Sequence, residues 1–465
     1  MTEHGDDAAR LLRRAAEHAI DFRLGVDGRP VRAGADAAEL RDRLGGPVPE
    51  APIDAGAVID DLVTASTDGL VAMAGPRYFG FVIGGSLPVA VAADWLTSAW
   101  DQNAGLFVGG PAAAIVEEVA GAWMLDLLGV PPTASFAFVT GCQMAHVTAL
   151  AAARQHVLAA TGWDVTTQGL AGSPPITVFV GEERHVTIDR ALRLLGIGTA
   201  GIVSVPADGQ GRMIAPELAK AMASADLGPT VVCAQVGNVD TGACDPLDEI
   251  VDAAQENGAW VHVDGAFGLW AAASPERAYL VAGCERADSW TTDAHKWLNV
   301  PYDSGFAAIA HPEPHRTAFA VRPPYLEFAA GDRPPRDQLD WTPEFSRRAR
   351  GFPVYAALRH LGRSGVAELI ERTCAHARHF AARFQAGGAE VLNEVVLNQV
   401  LVDFGGLDRN RALISAVQEE GTCWLSGTTW RGRSAARVSV SGWSTTEEDV
   451  DRSADAILRA FATLR

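Results

Sequence analysis

A chain of 465 residues is too long for one small core and predicts two or three domains. Apolar residues make up 48% and charged residues 20%, the balance of a globular protein with a sizeable core. The formal net charge of −19 argues against nucleic-acid and anionic-membrane partners, because both need a basic surface.

The N-terminus is polar and acidic, and no apolar run reaches the roughly 18 residues of a membrane span. Six cysteines (Cys142, Cys233, Cys244, Cys284, Cys374 and Cys423) are scattered without a CxxC pair. They read as reduced thiols, not as a disulfide framework or a zinc site. A soluble cytoplasmic protein without a metal site is expected.

In chain order, residues 1–75 alternate helical patterns with Gly/Pro breaks and read as an arm or flap. Residues 77–86 are aromatic and glycine-rich and predict a loop. Helical spacing runs from Pro111 to Leu128, a strand from Ser135 to Thr140, and an alanine-rich helix from Met144 to Leu158. Strands follow at 176–181, 200–205, 229–236 and 259–264, with helices near 188–195 and 246–257. A short strand then leads from Ala287 towards Lys296. This alternation predicts an α/β domain with a mostly parallel sheet, at 76–345. Pro, Gly and charge between Arg322 and Trp341 predict a long loop. Residues 346–465 form a smaller α+β domain, with helices at 366–384, 409–420 and 446–464 and strands at 395–404, 423–428 and 435–440.

The motif Gly196 to Gly201 matches GxGxxG, but it follows a helix and precedes a strand, the reverse of a dinucleotide site. HExxH, GxxxxGK[ST] and GxSxG are all missing from the sequence. Lys296 stands out because the only other lysine is Lys220. Lysine, unlike arginine, can lose its proton and condense with a carbonyl as a Schiff base. Asp264 ends an apolar strand, where a carboxylate needs a partner; a pyridinium nitrogen is a suitable one. His185 follows another strand. Thr140, Gly141 and Cys142 form a strand–turn–helix junction whose free amides suit a phosphate. Together these four positions can supply an amine, pair with a ring nitrogen, stack on the ring and hold its phosphate.

The segments His262–Phe267 and Thr292–Asn299 together resemble the pyridoxal-phosphate-dependent group II amino-acid decarboxylases, which include aromatic amino-acid and glutamate decarboxylases. The resemblance runs from about Pro76 to Thr446. It implies a fold-type-I homodimer with a seven-stranded-type sheet in the cofactor-binding domain, an active site at the subunit interface, and a small-molecule L-amino acid converted to its amine and carbon dioxide. It implies that Lys296 carries pyridoxal 5'-phosphate, that Asp264 pairs with its nitrogen and that Ala266 lies under the ring. His185 would stack on the other face and assist proton transfer. Gly141, Cys142 and Gln143 would hold the phosphate with His295 nearby, and Phe81 and Asn103 would line the substrate pocket. Two positions depart from the family pattern. Gln143 stands where a Ser or Thr hydroxyl is usual. Gln338 stands where a loop tyrosine is usual, leaving Tyr325 as the only tyrosine of that loop. Without that acid, an oxidative aldehyde synthase or an aminotransferase is the alternative outcome, and a binding protein without chemistry is the remaining class.

Overall fold

The computed structural model describes residues 3–323 and 335–464. Seven strands build one sheet: β1 (Ser135–Val139), β2 (Thr177–Gly181), β3 (Ile202–Val205), β4 (Thr230–Gln235), β5 (Trp260–Asp264), β6 (Ser289–Asp293) and β7 (Gly305–Ile309). Their order is β1-β7-β6-β5-β4-β2-β3, and every pairing is parallel except those of β7. These runs are short and rich in Val, Phe and Ala because both faces are covered, as parallel sheets require. The two faces pack into separate apolar clusters, one around Trp270, Trp290 and Trp297 and one around Trp260 and the helix Cys142–Ala159.

Strand β7 was not expected. Its Gly-Phe-Ala-Ala-Ile composition carries little strand propensity and no alternation. It inserts antiparallel between β1 and β6, so Gly305 faces both Val139 and Asp293. A Cβ on Gly305 would lie 2.5–2.8 Å from the backbone of Gly141. Glycine there is what lets the turn after β1 close onto the end of β6.

With β7 in that place, β1, β2, β4, β5 and β6 all open their carboxyl ends on one edge of the sheet, where ligands of open α/β sheets bind. Behind it, a four-stranded antiparallel sheet has the order β10-β11-β9-β8, with β8 (Glu390–Val391), β9 (Gln399–Asp403), β10 (Ser426–Trp430) and β11 (Arg433–Ser439). Strand β10 sits a few residues later than the predicted 423–428. The helix Gly351–Ala386 is longer than predicted and breaks at Gly362 (φ 60°), where positive φ suits only glycine without strain. The helices Glu3–Gly25, Ala37–Leu44 and Ala55–Ser66 precede the sheet. Among the described residues no helix is long and apolar enough to cross a membrane. The Gly196 and Gly198 turn joins a helix to β3 as read from the sequence, both glycines at positive φ.

Candidate active site

A cavity of about 300 Å³ opens at this sheet edge, walled by Gly141, Cys142 and Gln143 after β1, His185 and Thr187 after β2, Gln235 of β4, Asp264 and Ala266 from β5, and Asp293, His295 and Lys296 from β6. Eight residues singled out in the sequence thus meet in one wall. Phe81 and Asn103 do not. Phe81 is half exposed at φ 51° and packs against Trp424, while its neighbour Val82 lines the cavity. Asn103 accepts from the Arg347 amide at 3.2 Å, away from the cavity wall.

Lys296 sits just past β6 in a segment that cannot swing. Trp297 is buried and donates to Thr373 Oγ1 at 2.9 Å, and the side chain of Asn299 binds the carbonyls of Lys296 and Ser441. The lysine is therefore pinned to the long helix and to the end of β11. Its Nζ lies 2.9 Å from Asp293 Oδ2. Burial pulls its pKa down, but Asp293 and the neighbouring Cys142 outweigh this and hold it up at about 12. Asp293 is a residue the sequence reading passed over. It ends the strand Ser289–Asp293, whose Ser-Trp-Thr-Thr run gives no apolar contrast, so its place three residues before the lysine was the one available signal. Its other oxygen accepts from the Cys142 amide at 2.6 Å, fixing the phosphate-type turn to the lysine strand.

Asp264 is almost fully buried and accepts from the Ala266 amide at 3.2 Å. His185 caps the helix Val186–Leu194. Its Nδ1 accepts from the Thr187 amide and pairs with Thr187 Oγ1 at 2.8 Å, which leaves the proton on Nε2. Burial lowers its pKa, so the ring is neutral. The His295 ring lies tilted against Tyr302 with centroids 4.4 Å apart, its Nδ1 accepts from the Ser304 amide, and burial lowers its pKa as well. Gln143 donates to Thr187 O at 3.3 Å, while its buried Oε1 has no partner among the described residues.

Gln338 lies outside the cavity. It is fully buried and donates to the Ala114 carbonyl at 3.1 Å. A larger residue has no room there, so Gln338→Tyr is expected to cost about 1–3 kcal/mol in denaturant unfolding. Tyr325 lies outside the described residues.

Two buried carboxylates thus face one ammonium among neutral imidazoles. The surplus negative charge suits a cationic ring nitrogen, the amine suits an aldehyde on that ring, and the N-terminus of the helix Cys142–Ala159 suits a phosphate. The residues fit pyridoxal 5'-phosphate, and fold and cavity together define an enzyme of that cofactor class. Residues 39–404 match the model of the pyridoxal-dependent decarboxylase conserved domain, and the chain belongs to this family. Among similar proteins, tryptophan decarboxylase 1 of Oryza sativa subsp. japonica is 28% identical over 99% of this chain and 94% of its own. Phenylacetaldehyde synthase of a Rosa hybrid cultivar is 26% identical over 75% of this chain and 70% of its own. The crystal structure of Oryza sativa TDC with PLP and tryptamine superposes with a TM-score of 0.93 at 25% identity, covering 100% of this chain and 99% of that one. The chain is a pyridoxal-phosphate-dependent amino-acid decarboxylase, a carboxy-lyase.

Proposed function

We propose that this decarboxylase acts on an L-amino acid with an aromatic side chain. The observation that carries the reading is the single wall formed by Lys296, Asp264, His185 and the Gly141 turn, with apolar Val82, Val239 and Phe267 beside it. An acidic side chain would need a second cation. The nearby Arg437 is committed to the Val239 carbonyl at 2.6 Å and to Asp240 at 3.6 Å, and no arginine lines the cavity among the described residues.

In this reading Lys296 anchors the cofactor covalently and Asp264 holds its ring nitrogen protonated. Ala266, which is small, and His185 would hold the ring between them. Gly141, Cys142 and Gln143, with His295 beside them, hold the phosphate. When bound, the cofactor supplies the electron sink that lets the substrate carboxylate leave as carbon dioxide. Lys296 Nζ or His185 Nε2 then returns a proton to the carbon. Incubating the purified protein with L-Trp, L-Tyr, L-Phe and L-Glu is expected to release carbon dioxide and the matching amine from an aromatic member first. Release from L-Glu alone would overturn the substrate class.

A second outcome is favoured by one observation: Gln338 carries no acidic proton and its amide is already engaged. An oxidative path would consume dioxygen and water and release aldehyde, ammonia and hydrogen peroxide with the carbon dioxide. Peroxide measured in the same screen separates the two.

The reading further takes the chain as an arm (1–75), a cofactor domain (76–345) and a small domain (346–465) of a cytoplasmic homodimer. Support for the dimer comes from the apolar side chains exposed on the first helix (Leu12, Ile20, Leu24) and around Trp100, Leu96 and Ile115. Phe81 and Asn103 would complete the substrate pocket within that dimer. Six free, buried cysteines agree with a reducing compartment. Light scattering is expected to give twice the chain mass, and Trp100→Asp with Leu96→Asp to give the single chain mass; a monomeric wild type would remove the shared active site.

A further inference from the structure

The face of the sheet beneath Asp264 is polar where a core should be apolar. Trp260, His262 and Asp264 alternate on one side of β5, and Ser289, Thr291 and Asp293 alternate on the same side of β6, in a register that sets His262 beside Ser289 and Asp264 beside Thr291. All six are buried. Onto this double stripe the helix Cys142–Ala159 lowers His146, which is fully buried. Such a ladder is tolerated only when its members satisfy one another.

They do, and in one direction. Trp260 Nε1 can only donate, and its acceptor is Ser289 Oγ at 2.9 Å. Ser289 Oγ lies 2.9 Å from His262 Nδ1, and His262 Nε2 lies 3.0 Å from His146 Nδ1. His146 Nε2 points at Asp264 Oδ2 from 3.6 Å and at Cys142 Sγ from 3.5 Å. A carboxylate only accepts, so its charge favours a proton on His146 Nε2, which leaves His146 Nδ1 bare towards His262 Nε2 and the Thr291 hydroxyl at 3.3 Å. His262 must then donate from Nε2 and accept at Nδ1 from the serine hydroxyl. The carboxylate end sets these tautomers, and the serine, which accepts from Trp260, is free to donate to His262 Nδ1. Burial pushes each histidine down to about 3, so each carries one proton and neither becomes a cation. The last link, at 3.6 Å, is a charge–dipole contact, not a hydrogen bond. Cys142, His146 and Asp264 also cluster as a metal would require, with ligand atoms within 4.8 Å of one another. A metal would need the Cys142 thiolate, whose formation burial opposes by raising that pKa well above the ordinary value, and a bare His146 Nε2.

We propose that Trp260, Ser289, His262 and His146 form a one-way hydrogen-bond chain that positions Asp264 and sustains its pairing with the cofactor's ring nitrogen. His146 and His262 are positioning residues; they act through Asp264. The proposal rests on the reading that Asp264 faces that nitrogen.

The test uses holoenzyme reconstituted with pyridoxal phosphate labelled with nitrogen-15 in the ring. Wild type is expected to show a protonated ring nitrogen. His146→Phe and His262→Phe are expected to move that resonance towards the unprotonated position and to raise the cofactor dissociation constant about tenfold, the cost of one unmet buried partner. His146→Asn, which keeps an N–H to offer the carboxylate, is expected to return the resonance towards wild type. Ser289→Ala, a small change three links from Asp264, gives a smaller shift of the same sign if the larger substitutions do not fold. An unchanged resonance in the folded variants, with only the melting temperature lowered, would reduce the chain to a structural role and overturn the proposal. Borohydride trapping of the cofactor on Lys296 is run on every sample. A wild type that traps the cofactor but shows an unprotonated nitrogen removes the Asp264 reading itself, a failure distinct from that of the relay.

Discussion

Lys296→Ala is expected to lower turnover by about a thousandfold or more and to abolish borohydride trapping of the cofactor, since under the proposed function it removes both the covalent anchor and a proton carrier. The substitution also strands Asp293, whose Oδ2 loses its partner at 2.9 Å while Asp264 stays buried nearby. The cofactor-free protein should lose roughly 1–3 kcal/mol. Lys296→Arg separates the two effects. A guanidinium keeps the charge beside Asp293 but cannot condense with an aldehyde. It should recover most of the stability and none of the trapping or turnover. The pH dependence has a definite sign. The folded pKa is raised to about 12, above the ordinary lysine value of roughly 10.4. The stabilisation is therefore complete below the ordinary value and is lost as pH rises through 12. Denaturant unfolding of the cofactor-free wild type should fall over that window, and the fall should be absent in Lys296→Ala. Turnover within tenfold of wild type in either variant would remove Lys296 from the chemistry.

The features of this site that were legible in the sequence are those whose cost shows locally. A lysine in a chain with two lysines, and an aspartate closing an apolar strand, are anomalies that need no partner to be noticed. Asp293 closes a strand of Ser, Trp and Thr, where one more polar residue is no anomaly. His262 sits two residues before Asp264, so its position on the same strand face is readable; its partner His146 is 116 residues away and only the fold joins them. The parallel sheet followed from the strand–helix rhythm. Strand β7 did not, because Gly305, Ala307 and Ala308 are chosen for close packing beside Gly141 and not for strand propensity. The helix Ala215–Ala223 escaped for a related reason: it is short, and its pattern sits between Gly and Pro breaks. Gln338 shows the opposite limit. Its place in the sequence pattern points to the cavity, yet its side chain is buried outside it, with Nε2 donating to the Ala114 carbonyl.

Asp264→Asn is expected to cut turnover by about 10²- to 10³-fold, the usual loss when a preorganised charge facing the reacting centre is removed. The substitution keeps the shape and the acceptor oxygen for the Ala266 amide but cannot neutralise a pyridinium. The holoenzyme should therefore show an unprotonated ring nitrogen and bind the cofactor more weakly. The cofactor-free protein should respond the other way. Without the ring, two buried carboxylates share one ammonium, and neutralising Asp264 relieves that repulsion while leaving Asp293 its 2.9 Å contact with Lys296. Its melting temperature is expected to equal or exceed that of wild type. This opposite response of the two forms is what a charge held for a cofactor predicts, and a merely structural carboxylate would lower both. Asp264→Glu sharpens the comparison. It keeps the charge but pushes it one methylene into the cavity, and should lose turnover while leaving the ring nitrogen protonated. If Asp264→Asn keeps turnover within threefold of wild type, or destabilises the cofactor-free protein as much as the holoenzyme, the carboxylate does not serve the ring.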